Sequence, residues 1–153
     1  MPALRFTALD PDLVERARSD AAADGRAVAQ PADDERYPVR CCLRRVRGDE
    51  GVVLLSARPP SADSPYAAAG PVYLHAARCD GHHAGGGLPE MLHESTLSLR
   101  GYDRDHMITG TTIVAAAELE QAAVELLATP PTAYAFVHYA GPGCYACRVE
   151  LAA

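Results

Sequence analysis

The residues best suited to chemistry in this chain lie close together near its C-terminal end. Aromatic and β-branched side chains fill residues 133–140, polar and apolar side chains alternate over residues 144–151, and Gly141-Pro142-Gly143 separates the two segments. This arrangement predicts a β-hairpin closed by a glycine-containing turn. Alternate side chains of a strand point to opposite faces, so one face of the hairpin is apolar and predicted to be buried. The opposite face carries His138, Cys144 and Arg148.

That second face combines an imidazole, a thiol and a guanidinium group. With Ala140 opposite Cys144, the side chains of Cys144 and His138 are diagonal neighbours that can meet. An imidazole and an arginine both favour the thiolate, which makes Cys144 a candidate nucleophile or redox thiol with His138 as its catalytic partner. Arg148 is suited to hold a substrate carboxylate or phosphate. Further substrate-binding residues are predicted on neighbouring strands and loops: Tyr66, His75 and Arg100.

The same hairpin face also has a purely structural interpretation. A sheet face covered by a helix buries its side chains, and a buried cysteine usually behaves as a small hydrophobic residue. Arg148 is the stronger binding candidate, because a buried or half-buried arginine requires an anion.

Cys144 and Cys147 form a C-x-x-C motif, which in other settings performs redox or metal chemistry. In an extended strand, residues three apart point to opposite faces and lie roughly 10 Å apart. Such a pair can neither form a disulfide nor share a metal. The motif regains this chemistry only if residues 143–147 form a turn.

A second group of candidate ligands follows a predicted strand over residues 71–76. His75, Cys79, His82 and His83 occur within nine residues that lead into a glycine-rich segment. Imidazole and thiolate are zinc-type ligands, so these four side chains are an alternative metal site for zinc or iron. The spacing matches no strong metal signature, and the competing interpretation is a loop whose histidines face water.

The elements that position these residues predict an α+β fold with a mainly antiparallel sheet of six to eight short strands. Residues 37–47 and 51–57 are predicted to pair as strands. Residues 115–128 carry one apolar stripe and predict a single long helix packed on the sheet. Asp10-Pro11 predicts the start of a short helix, whereas the composition of residues 19–36 predicts a flexible surface segment.

Length and composition narrow the class of protein. A chain of 153 residues predicts one domain with a substantial core. The net charge of −6 argues against nucleic acid and anionic membrane surfaces as partners, whereas a small molecule or a homo-oligomer is compatible with it. We find no apolar run long enough to span a membrane and no signal peptide. Five cysteines, an odd number that includes the adjacent Cys41 and Cys42, indicate reduced thiols and hence a cytoplasmic location.

An ordered series of short motifs resembles a known bacterial family. The motifs are residues 37–43, 51–55, 64–66, 70–75, 99–103 and 134–148. Over about residues 37–150 they are similar to the bacterial domain-of-unknown-function family numbered 1203. The resemblance implies a small single-domain bacterial protein and supplies no activity. The His82-His83 loop departs from the family pattern, so a ligand role there would be particular to this protein.

Three hypotheses for function follow from the sequence. The leading one is a protein that binds a small, anionic molecule on the hairpin face and uses Cys144 as an enzymatic thiol. The first alternative is a metal-binding protein that uses His75 and Cys79 together with the His82-His83 loop or a hairpin cysteine. The second alternative is a non-catalytic interaction module.

Overall fold

The computed structural model describes residues 1–23, 28–29, 37–48, 50–59, 64–83 and 87–153. Ten strands are assigned: β1 Leu4–Thr7, β2 Val28–Ala29, β3 Pro38–Val39, β4 Arg44–Arg45, β5 Val52–Ala57, β6 Gly70–His75, β7 Thr96–Tyr102, β8 Ile108–Ala115, β9 Tyr134–Tyr139 and β10 Tyr145–Leu151. Two α-helices accompany them, α1 Pro11–Ala23 and α2 Leu119–Leu127. Short 3₁₀ turns occupy Glu90–Leu92 and Ala116–Glu118.

The strands form two five-stranded sheets. The first sheet has the order β1-β10-β9-β7-β8, and the second has the order β2-β5-β6-β3-β4. All the pairings are antiparallel except that of β3 with β6. The predicted α+β class and its mainly antiparallel character are therefore confirmed, but the strands divide between two sheets and exceed the predicted number.

Each face of the first sheet contributes to a separate hydrophobic core. One face packs against α2 and the Glu90–Leu92 turn, and Leu97, Leu99 and Leu119 are completely buried there. The other face supplies an aromatic layer, which we define as Tyr102, Tyr134, Phe136 and Tyr145. This layer packs with the apolar residues of the second sheet and of α1. Both faces of the C-terminal hairpin are consequently buried.

The C-terminal hairpin forms as predicted, with one local change. Val137 pairs with Cys147 as expected, but a β-bulge shifts the register so that His138 pairs with Tyr145 and not with Ala146. A bulge puts two residues opposite one, which reverses the facing of the residues on its far side. Tyr145 therefore joins the aromatic layer, and Ala146 joins the first core.

The predicted single long helix is wrong in two respects. The helix over residues 115–128 is shorter, because a strand runs to Ala115 and a 3₁₀ turn precedes the nine residues of α2. The longer helix is α1, which has 13 residues and extends through Ala23 into the segment predicted to be flexible. The apolar side of α1 packs in the second core, which supplies the stability that its composition lacks. Of the remaining predicted flexible segment, only β2 lies within the described residues.

The predicted strand over residues 37–47 is interrupted by a turn. Leu43 donates a backbone hydrogen bond to Val39 O at 3.0 Å and adopts a φ of 57°. The chain therefore reverses between β3 and β4, and these two short strands pair with each other. This turn, residues 40–43, carries Cys41 and Cys42 and proves important for the candidate site.

Gly101 of β7 provides a test of the packing between α2 and the first sheet. A Cβ atom at this position would lie 3.0 Å from Leu126 Cδ2, Thr109 Oγ1 and Thr132 Cγ2. We expect Gly101→Ala to lower the free energy of unfolding by about 1–3 kcal/mol, because three neighbours must move at once. The measurement is urea denaturation. Gly70→Ala is the matched control, since no described heavy atom lies within 4 Å of its Cβ position; equal losses in both variants would contradict the packing explanation.

Candidate metal centre

Four side chains that commonly bind transition metals converge at one end of the second sheet. They are Cys41, Cys42, His75 and Cys79, and one ligand atom of each lies within 4.8 Å of those of the other three. His75 Nδ1 is 3.5 Å from Cys41 Sγ and 3.6 Å from Cys42 Sγ. Three thiols and one imidazole form a Cys₃His group, a common ligand set of structural zinc sites.

The distances in this Cys₃His group can be compared with those of a tetrahedral site. Zinc–sulfur bonds of about 2.3 Å and zinc–nitrogen bonds of about 2.0–2.1 Å give a sulfur–nitrogen edge of about 3.6 Å. The distances from His75 Nδ1 to Cys41 Sγ and Cys42 Sγ match this edge. The corresponding sulfur–sulfur edge is about 3.8 Å, which lies inside the 4.8 Å limit of the group. The four side chains therefore could hold a metal ion after small adjustments.

The group forms because the turn over residues 40–43 lies against the end of β6. Val39 pairs with Tyr73 in the parallel ladder, and Arg40 N donates to Tyr73 O at 2.9 Å. The following two residues, Cys41 and Cys42, then lie beside His75. The backbone N–H of His75 also donates to Cys41 Sγ at 3.4 Å. Segments that are 34 positions apart in the chain meet in this way.

Burial and hydrogen bonding give the two adjacent thiols different acidities. Cys41 is buried, whereas Cys42 and Cys79 are half-buried. A hydrogen bond between the adjacent thiols, together with burial, raises the pKa of Cys41 to about 12. The same hydrogen bond lowers the pKa of Cys42, which is therefore the first of the two to become a thiolate. The hydrogen bond with Cys41 raises the pKa of His75.

A carboxylate and an arginine lie behind the imidazole. His75 Nε2 is buried and lies 3.4 Å from Glu50 Oε2, without reaching hydrogen-bond geometry. Arg44 holds both oxygens of Glu50, at 2.9 and 2.7 Å, and lowers the pKa of Glu50 to about 2. A carboxylate on the second nitrogen of a histidine ligand fixes the orientation of the ring and strengthens the ligand. Glu50 is in position for that role after a small movement.

The group is reached from a cavity of about 490 Å³. Cys42, His75 and Cys79 line this cavity, and His83 and Arg78 lie on its wall. An ion can therefore approach the two half-buried thiols directly from the surface.

Two of the four predicted metal ligands belong to this group. His75 and Cys79 are included, whereas the predicted partners His82 and His83 are outside the cluster of four ligand atoms. His82 is half-buried, and its pKa is lowered by burial. His83 is exposed, although it lines the same cavity. The turn over residues 40–43 supplies two thiols directly against β6, so the group has four ligands without His82 and His83.

Sequence reasoning overlooked Cys41 and Cys42 as ligands. In the predicted strand, adjacent residues point to opposite faces, and the two thiols cannot share an ion. The available signal was a pair of adjacent cysteines in the same chain as His75 and Cys79, which lie at and just after the end of another strand. That signal indicates a shared metal site only when the turn over residues 40–43 is known.

The structure places the predicted catalytic pair, His138 and Cys144, in different surroundings. His138 is buried, with Nδ1 3.0 Å from Gly143 O, and burial lowers its pKa to about 4. Cys144 lies half-buried in the hairpin turn, and no hydrogen bond among the described residues joins it to His138. A nucleophile and its base require hydrogen-bond contact. Cys147 is also a free thiol but is completely buried, which raises its pKa to about 12.

The structure does not bring the four predicted substrate-binding residues together. Arg148 and Arg100 both pair with Phe136, from the strands on either side of it. Arg148 lies 4.1 Å above the Tyr134 ring and binds Glu150 at 2.9 Å, so its charge has a partner. Tyr66 is 44% exposed and contacts the edge of the aromatic layer. The fourth residue, His75, belongs to the Cys₃His group. A role for the hairpin face in catalysis stays a prediction.

Comparison with known proteins identifies one relationship. A protein-family model matches residues 36–151, which include all four residues of the Cys₃His group. No curated protein and no solved structure matches the chain. Among the described residues, neither helix is both long and apolar enough to cross a membrane.

Proposed function

The chain belongs to the DUF1203 family, described as a protein of unknown function, and within that family we propose that it binds one zinc ion through Cys41, Cys42, His75 and Cys79. The observation that carries the proposal is the convergence of three sulfur atoms and one imidazole nitrogen within 4.8 Å. These ligands come from two segments that are distant in the sequence. Soft thiolates with an imidazole in a tetrahedral arrangement favour zinc, with iron as the nearest competitor.

The hydrogen bonding of the thiols supports this proposal. A hydrogen bond between Cys41 and Cys42 shifts their pKa values in opposite directions, and His75 Nδ1 faces both sulfur atoms. The three thiols and the imidazole nitrogen all direct lone pairs into the same small space. A divalent cation would bind all four ligand atoms at once, and the thiol protons would be released to the solvent.

The number of ligands favours a structural role for the ion. Catalytic zinc sites usually have three protein ligands and keep one position for water or substrate, whereas structural sites use four. Here four side chains are available, enough to fill all four positions of a tetrahedral site. The ion would join the turn over residues 40–43 to the end of β6 and to the loop that contains Cys79.

The test is metal binding by the reduced protein, purified without a histidine tag. Elemental analysis is expected to give about one equivalent of zinc. Titration with cobalt, a spectroscopic substitute for zinc, is expected to give thiolate-to-metal charge-transfer absorption in the near ultraviolet. Replacing Cys42 or Cys79 by serine is expected to remove about one third of that intensity, because three thiolates contribute.

Cys144→Ser is the matched control, since it removes a half-buried thiol outside the Cys₃His group. This variant is expected to retain the cobalt spectrum of the unmodified protein. The proposal fails if neither zinc nor cobalt binds at one equivalent. It also fails if Cys144→Ser weakens the spectrum as much as Cys79→Ser does.

A further inference from the structure

Arg40 is the one arginine among the described residues that is almost completely buried, with 2% of its surface exposed. Its side chain crosses from the second sheet to the first. Nε donates to Tyr145 O at 2.8 Å, and Nη1 donates to Pro38 O at 2.7 Å. The guanidinium carbon lies 5.3 Å from the centre of the Tyr139 ring. No carboxylate of the described residues lies within ion-pair distance of Arg40.

A buried charge without a counter-ion is costly, and two carbonyl groups and an aromatic ring compensate only part of its lost hydration. Since arginine remains protonated in proteins, the positive charge persists at this position. Such a charge is expected to attract an anion wherever one can reach it.

An anion can reach Arg40 through a cavity of about 520 Å³ beside the hairpin turn. Arg45 is a second positive group on its wall, and none of the described residues that line it is an aspartate or a glutamate. The remaining wall is largely apolar and includes Leu54, Tyr73 and Tyr139, with Cys144 at the hairpin turn.

We propose that this cavity binds a small organic carboxylate, with the carboxylate on Arg40 and Arg45 and an apolar or aromatic body between Tyr73 and Tyr139. Small-molecule sites commonly combine an apolar wall with a few charged or polar groups that fix the orientation of the ligand. An arginine guanidinium group matches the planar geometry of a carboxylate. The apolar wall favours a ligand that is uncharged apart from its carboxylate.

The proposed carboxylate site does not depend on the metal. Arg40 precedes Cys41 in the chain, but its side chain extends to Tyr145 in the first sheet, whereas the Cys41 thiol faces His75. Of the residues that the structure describes, none lines both the cavity beside the hairpin and the cavity beside the Cys₃His group. The two proposals can therefore fail separately.

The test uses benzoate as the probe and benzamide, its neutral counterpart, as the control ligand. Binding is followed by amide chemical shifts in nitrogen-15-labelled protein. A ligand of this size is expected to bind with a dissociation constant on the order of 1 mM. The largest shifts are expected at Tyr139, Cys144 and Tyr73, and benzamide is expected to bind at least about tenfold more weakly because it lacks the charge.

Two variants at Leu54 separate charge from shape without altering the buried Arg40. Leu54 lines the cavity and is 44% exposed, so substitution there is expected to leave the fold intact. Leu54→Glu adds a negative charge at the cavity and is expected to weaken benzoate binding by at least about tenfold relative to Leu54→Gln. Ile113→Glu, on an exposed position of β8, places the same charge elsewhere and is expected to leave benzoate binding unchanged.

Four results would overturn the proposal. The first is the absence of a saturable shift with benzoate at tenfold its expected dissociation constant. The second is equal binding of benzoate and benzamide, and the third is equal binding by the two Leu54 variants. The fourth is a set of shifts located away from the cavity. The role of Arg40 would then be to join the two sheets.

Discussion

Zinc is expected to raise the free energy of unfolding of the reduced protein by about 4 kcal/mol when free zinc is held about a thousandfold above its dissociation constant. The unfolded chain has no preformed site, because Cys41 and Cys42 are separated in sequence from His75 and Cys79. Binding therefore stabilises the folded state selectively. Two hydrophobic cores support the sheets independently of the ion, so the protein is expected to remain folded without zinc, unlike a small zinc finger.

The measurement is urea denaturation in zinc-buffered solution and in the presence of a chelator. Cys79→Ser is expected to lose most of the zinc-dependent stabilisation, because the ion then lacks one of its thiolates. Cys144→Ser is expected to keep it, since that thiol lies outside the Cys₃His group. A free energy of unfolding that does not respond to zinc in the unmodified protein would contradict the prediction.

Acidification from pH 6.5 to pH 4 is expected to remove about 3 kcal/mol of stability through His138 alone. Burial lowers the pKa of this histidine from 6.5 to about 4 in the folded protein, and the nearby charges of Arg100 and Arg40 act in the same direction. The hydrogen bond to Gly143 O opposes the shift but does not cancel it. In the folded state the ring therefore stays neutral until the pH approaches 4.

The sign of this effect follows from the two states. Between pH 6.5 and 4, the unfolded chain binds a proton at His138 and the folded chain does not, so falling pH favours unfolding. The contribution is fully present above pH 6.5 and is lost progressively as the pH falls to about 4. His138 Nε2 is buried and has no hydrogen-bond partner in the described part of the chain, so a proton placed there would find no acceptor among those residues.

The measurement is urea denaturation across this pH range. His138→Phe is expected to flatten the pH dependence by about 3 kcal/mol, because a phenyl ring fits the aromatic surroundings and does not titrate. His93→Gln, which removes an exposed histidine, is expected to retain the pH dependence of the unmodified protein. If His138→Phe and the unmodified protein lose equal stability on acidification, His138 is not the group responsible.

Local patterns in the sequence determined much of the framework. The aromatic and alternating segments around Gly141-Pro142-Gly143 produce a hairpin, and Val137 pairs with Cys147 as the alternation predicts. The apolar stripe after residue 115 produces α2, and Asp10-Pro11 begins α1. These features depend on turn chemistry and side-chain periodicity, which act over a few residues. The ordered motifs were also sufficient to identify the family.

The stacking of the two sheets was decided only by the tertiary structure. The hairpin face predicted to be polar and accessible contains Tyr134 and Phe136, which pack in the core shared with the second sheet, and His138, which is also buried. Because this face contains His138 and Arg148, the sequence does not indicate that a second sheet covers it. The bulge at Tyr145–Cys147 then makes Tyr145 and Ala146 exchange faces. Such a shift depends on packing on both sides of the sheet.

The candidate metal centre was likewise decided by tertiary structure. Sequence identified His75 and Cys79, because they lie close together in the chain, but their partners Cys41 and Cys42 come from a distant segment. Those partners become ligands only because Leu43 adopts a positive φ and because β3 pairs in parallel with β6. Neither feature has a local sequence signature. The chemical type of the ligands can be read from the sequence, whereas the meeting of these ligands depends on pairing between distant strands.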